Sequence, residues 1–120
     1  MAIRKTYWIF CIVALTTCAL AIESTHYGLA SYYADSFQGK KTASGVPYDS
    51  AALTAAHREF PFGTKVRVTN TVNEKEVLVT INDRGPFNKK RIIDLSKKAA
   101  KELAMINEGV VKVQVEVLAD

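Results

Sequence analysis

Val111-Lys112-Val113-Gln114-Val115-Glu116-Val117-Leu118 is the stretch from which the fold follows. Four valines alternate with Lys112, Gln114 and Glu116. Successive side chains of a strand point to opposite faces, so this pattern makes one apolar and one polar face, a half-buried strand. The same period recurs upstream. Val66 and Val68 alternate with Lys65, Arg67 and Thr69, and Val77, Val79 and Ile81 alternate with Leu78, Thr80 and Asn82. Thr71 to Lys75, with Asn73, reads as the hairpin connection between those two strands. Gly28 to Tyr33 is expected as a first strand and Leu53 to Ala56 as a short one. A single helix is expected from about Lys97 to Ala104, with Ala99, Ala100, Leu103 and Ala104 as its apolar face. The Ser96 hydroxyl can cap it by accepting from an orphaned backbone N–H, and Asn107 to Gly109 end it. Many short strands and one helix suggest a small closed barrel, which leaves no exposed sheet edge. No internal repeat or low-complexity stretch interrupts the chain.

Residues 1–21 read differently. Arg4 and Lys5 give a positive start, Tyr7 to Leu15 an apolar run, and Ala19-Leu20-Ala21 the small-x-small pattern of a cleavage site. Together these describe a secretory signal peptide. A membrane-spanning helix would need about 20 apolar residues, more than this stretch offers. Cleavage after Ala21 would remove both cysteines, Cys11 and Cys18, and with them any disulfide or thiolate metal site. A second reading places a lipid anchor at Cys18, because Leu15-Thr16-Thr17-Cys18 resembles a lipobox. The expected location is thus the periplasm or cell envelope, soluble in the first case and lipid-anchored in the second. Residues 22–27, including His26, read as a short linker, and residues 28–118 as one domain.

Removing Arg4 and Lys5 from the 16 basic residues leaves 14 against 12 acidic ones, a net charge of +2. That is too weak to argue for nucleic acid, and no Arg/Lys-aromatic stripe suggests it. It is compatible with an anionic polymer such as a cell wall. Four segments could carry chemistry. Thr42 to Asp49 is a loop punctuated by glycine and proline. Thr54-Ala55-Ala56-His57 ends a short strand on a histidine, a residue type that is more often structural than catalytic in such a place. Asn82-Asp83-Arg84-Gly85-Pro86-Phe87 reads as a turn, but it sets a carboxylate at a strand end, where a barrel rim presents side chains to a ligand. Arg84 beside it could hold an anionic substrate. Arg91-Ile92-Ile93-Asp94-Leu95-Ser96 alternates and leads into the helix cap, which favours a structural role for Asp94 and Ser96. No histidine or cysteine cluster and no phosphate loop is present, so no metal, nucleotide or redox cofactor is expected.

These residues carry a resemblance. The stretches GLASYYADSFQGKKTASG (28–45), LTAAH (53–57), PFGTKVRVTN (61–70), NDRGPF (82–87) and RIIDLSKKAA (91–100) follow the order and spacing of the rare-lipoprotein-A family. The chain resembles that family over Gly28 to Leu118. The resemblance implies a six-stranded double-psi β-barrel with a short α-helix, as in barwin and the N-terminal domain of expansins. It also implies a lytic transglycosylase, a lyase that cuts the β-1,4 bond between N-acetylmuramic acid and N-acetylglucosamine in peptidoglycan and leaves 1,6-anhydro ends. The partner would be a peptidoglycan glycan strand, and the enzyme a monomer. Asp83 matches the family's key aspartate and would be the general acid/base. His57 matches a functional histidine and would be the second catalytic residue, in the same groove, orienting the substrate or the acid. Arg84, Tyr33, Tyr48 and Phe87 would contact the glycan. The family's loop commonly reads T-A-S-G-E, and this chain has Val46 where the glutamate stands. The alternative is therefore a non-catalytic polysaccharide-binding barrel of the expansin or barwin kind.

Overall fold

The computed structural model describes residues 21–119, so the export-signal reading, with Cys11 and Cys18, lies outside the described residues apart from Ala21. Six strands form: β1 (Ile22–Tyr32), β2 (Thr54–Ala56), β3 (Lys65–Asn70), β4 (Glu76–Asp83), β5 (Arg91–Leu95) and β6 (Val111–Leu118). They close into a barrel in the order β1-β5-β2-β4-β3-β6. Two of its pairings, β1 with β5 and β2 with β4, are parallel, and the other four are antiparallel. The architecture is mainly β with one helix, as expected.

The alternation places the core. Val113 and Val115 of β6, Val66 and Val68 of β3, and Ile81 of β4 are fully buried, with Val79 and Val77 nearly so. Lys112 and Leu78, between them, face out. Filling the barrel with β-branched side chains suits both the pleat and the close packing of a small interior. The β3–β4 hairpin forms where its turn residues lie, and its asparagines serve the helix. Asn70 is buried, and its amide and that of Asn73 both donate to the Leu103 carbonyl, at 3.1 and 3.0 Å.

Helix α1 spans Lys97–Glu102 and packs against β4 and β1. Ser96 caps it as expected, its hydroxyl accepting from the Ala99 N–H at 3.3 Å. The helix stops two residues before the expected Ala104, which takes a left-handed φ of 53°. Ala99, Ala100 and Leu103 are fully buried in the barrel core.

The linker reading of residues 22–27 is corrected. β1 begins at Ile22, and Ile22 to Tyr27 pair with β6 from Leu118 to Gln114. This half of β1 is exposed and rich in polar residues (Glu23, Ser24, Thr25, His26), so no apolar period announces it. Backbone pairing with β6 makes it a strand. Gly28 marks the point where β1 enters the body of the barrel. A Cβ there would lie 2.6 Å from Ile92 Cγ2, so only glycine allows this approach.

Candidate active-site groove

A groove of about 630 Å³ opens where the ends of β1, β2, β4 and β5 meet. Its lining includes Tyr33, Phe37, Asp83, Arg84, Phe87, Arg91 and Asp94, with the small Ala56 among them. A slip in strand register places its central carboxylate. Ala55 of β2 sits opposite Ile81 of β4, but the next residue, Ala56, sits opposite Asp83. Asn82 is thus the extra residue of a bulge. Bulges re-aim side chains and are enriched beside active sites. Ile81 points into the core, and strict alternation would send Asp83 the same way. The bulge instead brings it level with Ala56, on the groove.

Asp83 is held on both oxygens. Oδ1 accepts from the backbone N–H groups of Ala43 and Arg84, each at 2.8 Å, and Oδ2 accepts from the Tyr33 hydroxyl at 2.5 Å. Three donors from three parts of the chain therefore fix one carboxyl group. Tyr33 is held in turn. Its ring stacks on Tyr48 with centroids 4.4 Å apart and meets the Phe37 edge at 5.6 Å. Burial, then the hydrogen bond to Asp83, pushes the Tyr33 phenol up, so it stays a proton donor. Tyr33→Phe removes that donor and is expected to lower stability by about 1 kcal/mol, the net value of a typical hydrogen bond. A thermal melt of the variant beside the wild type checks this.

A second carboxylate, Asp94, belongs to the groove, although in the sequence its alternation and place before the helix cap favour a structural role. Asp94 of β5 pairs with Ala56 from the other side, so Asp83 and Asp94 flank Ala56 across β4, β2 and β5. Two strand spacings separate their Cα atoms by roughly 9–10 Å. Asp94 Oδ1 accepts from the Ser31 hydroxyl at 2.5 Å and from Arg91 Nη1 at 3.1 Å, and Arg91 Nη1 also donates to Ser31 Oγ. The only sequence signal was that Asp94 alternates out of phase with the buried Ile93 and Leu95. Phe37, another groove residue, carried none.

Other expected site residues fall differently. Phe87 is 87% exposed on the groove wall, available for stacking against a ligand. Gly85 beside it has a φ of +136°, a conformation that strains any residue with a Cβ. Tyr48 is buried at 3% exposure, its ring behind Tyr33 and its hydroxyl accepting from the Lys97 N–H, so it supports the wall and does not contact a ligand. Arg84 lines the groove, but its Nη1 donates to the carbonyls of Phe60 and His57 at 2.8 and 3.2 Å, and its guanidinium lies 4.1 Å over the Phe62 ring. Much of its binding capacity is therefore turned inward. His57 does not share the groove. Its ring lines a separate hollow of about 340 Å³ with His26, Tyr27, Glu59 and Phe60. Only its backbone reaches toward the site, the N–H donating to the Asp83 carbonyl at 3.2 Å. Val46, in the loop that delivers the Ala43 N–H, is 55% exposed and outside the groove lining.

Comparison with known proteins places the fold and the family. The sequence model of a family described as lytic transglycolase matches residues 25–115. A protein of Neisseria meningitidis named endolytic peptidoglycan transglycosylase RlpA is 51% identical over 94 residues, covering 78% of this chain and 39% of the relative. A protein of Treponema pallidum named probable endolytic peptidoglycan transglycosylase RlpA is 57% identical over 88 residues, covering 73% of this chain and 28% of the relative. The chain thus spans well under half the length of these relatives. Among solved structures, Streptomyces papain inhibitor superposes with a TM-score of 0.66 at 25% identity, covering 84% of this chain and all of that one. An expansin of Clavibacter michiganensis gives 0.65 at 22% identity, covering 81% of this chain and 52% of that one, and shares the fold. A closed six-stranded barrel, a bulge-presented aspartate and these matches lead to one conclusion: the chain belongs to the lytic transglycolase family, on the double-psi β-barrel of the RlpA proteins.

Proposed function

We propose that the groove binds a peptidoglycan glycan strand and that the chain is an endolytic transglycosylase, cleaving the bond between N-acetylmuramic acid and N-acetylglucosamine. The observation that carries this reading is Asp83, a carboxyl group locked by three donors on an open groove beside the exposed Phe87 ring. The chemistry needs little more. The bond from the muramic C1 to the leaving oxygen breaks, and that oxygen takes a proton. The muramic C6 hydroxyl attacks C1 and gives up a proton, forming the 1,6-anhydro ring. The two proton transfers cancel, so one carboxyl group can serve as acid and then as base. Because the nucleophile belongs to the substrate, proximity supplies much of the rate and no enzyme nucleophile or activated water is required. Asp94, on the far side of Ala56, is placed to support positive charge developing at the sugar ring.

Digestion of purified sacculi, with mass spectrometry of the released glycans, tests this. Anhydro-muramic ends are expected, whereas reducing muramic ends would identify a hydrolase and contradict the reading. The second reading, a binding barrel without turnover, draws on Val46, where the family commonly has glutamate. Val46→Glu separates the two. An inert wild type that binds sacculi and becomes active on this substitution is a binding module, whereas an active wild type is an enzyme. Such a substrate lies in the cell envelope, which fits an export signal at residues 1–21. The intact mass of the exported protein distinguishes cleavage after Ala21 from a diacylated Cys18.

A further inference from the structure

The geometry points to His57 as a positioning residue that holds Asp83 and Arg84 in place through a turn built on its neutral imidazole. The role rests on the reading of Asp83 as the catalytic carboxyl group. His57 Nδ1 accepts from two backbone N–H groups, those of Glu59 at 3.0 Å and Phe60 at 3.1 Å. The ring also stacks flat on Phe60, with centroids 3.5 Å apart and planes within 1°. One side chain thereby curls residues 57–60 into a compact turn. That turn aims two carbonyls, those of His57 and Phe60, at Arg84 Nη1. The His57 N–H holds the Asp83 carbonyl as well. The Arg84 N–H, at the residue so fixed, donates to Asp83 Oδ1. The route runs from imidazole to turn, from turn to Arg84 and the Asp83 backbone, and from there to the carboxylate. No atom of the imidazole need touch the substrate, in keeping with its place in a hollow apart from the groove.

The arrangement requires Nδ1 to be an acceptor, so the ring must be neutral and carry its proton on Nε2. Burial comes first among the causes that push its pKa down to about 4. The charges facing it come from its own turn (Arg58 and Glu59), from β1 (His26) and from the segment after β4 (Arg84). All but Glu59 lower it further. Between pH 6.5 and about 4 the unfolded chain takes up a proton at His57 that the folded chain refuses. The unfolded state binds more protons there, so stability at this site is complete above 6.5 and falls as pH falls through that window.

Two substitutions test the role. In His57→Asn, the side-chain oxygen stands where Nδ1 stood and can accept from the N–H groups two and three residues on, as asparagine does in Asx turns. It carries no titrating group. In His57→Leu the acceptor is lost. The first is expected to keep turnover within about threefold of wild type and to remove the stability loss between pH 6.5 and 4. The second is expected to lower kcat tenfold or more with a smaller change in KM. Amide hydrogen exchange at Arg84 supplies a readout that needs no turnover. Exchange should stay protected in wild type and His57→Asn and speed up tenfold or more in His57→Leu. If the wild type proves inert, the exchange pattern still decides the positioning role, and only the lyase reading fails. The inference is overturned if His57→Asn is as inactive as His57→Leu, because the imidazole would then act directly. It is equally overturned if Arg84 exchange is unchanged in His57→Leu, or if that variant keeps full activity.

Discussion

Asp83→Asn is expected to cut the release of anhydro-muramic ends at least a hundredfold, the scale of a lost general acid/base. Asparagine matches aspartate in size and keeps Oδ1, so the Ala43 and Arg84 N–H groups retain their acceptor. What it lacks is a proton to deliver to the leaving oxygen and a site to receive one from the attacking hydroxyl. On the Oδ2 side the amide presents hydrogens to the Tyr33 hydroxyl, which must then accept instead of donate. Fold is preserved, so the far-ultraviolet spectrum should match wild type and sacculi should still be bound. Turnover by Asp83→Asn equal to wild type would show that the chemistry runs through another group, such as Asp94 across Ala56.

Leu95→Ala should have the largest effect on stability. Leu95 is fully buried, at the register position shared by Tyr32 of β1 and Ala55 of β2, and its carbonyl accepts from the Tyr33 N–H at 3.0 Å. Truncating it leaves a cavity that backbone pairing on both sides prevents from collapsing. Large-to-small changes of this kind cost about 2–5 kcal/mol. For a domain of this size that lowers Tm by on the order of 10–20 °C, readable in a thermal melt. The residue lies between Asp94 and the Ser96 cap, so turnover measured near physiological temperature should fall along with stability. A shift of only two or three degrees would mean that the interior repacks around the missing atoms.

Much of the barrel could be read from the chain because its inward residues are apolar and regularly spaced, as in Val111, Val113, Val115 and Val117. The first half of β1 could not, since Glu23 to His26 are polar and exposed and are strand only by backbone pairing with β6. The site was legible to the extent that it is local. Asp83 stands out because carboxylates at strand ends are few, and Phe87 because it follows a turn. Asp94 looked structural because its neighbour in the groove, Asp83, is 11 residues away and reaches it only across β2. Tyr48 looked like a ligand contact because its burial depends on the ring of Tyr33, which sequence cannot place. His57 looked catalytic because residue type says nothing of direction. Its Nδ1 turns back onto the Glu59 and Phe60 amides and takes the ring out of the groove.

Closure of the barrel has a kinetic consequence. β1 pairs with β6 along nearly its whole length and with β5 on its other edge, so the first strand finds both neighbours only in the last third of the domain. During synthesis, the hairpin of β3 and β4 can form early, but residues 22–32 stay unpaired until residues 91–118 emerge. Chains dominated by such distant pairings pay loop-closure entropy before contacts repay it, and they fold in milliseconds to seconds. The same delay leaves the barrel open for longer than a helical bundle of equal length would stay unfolded.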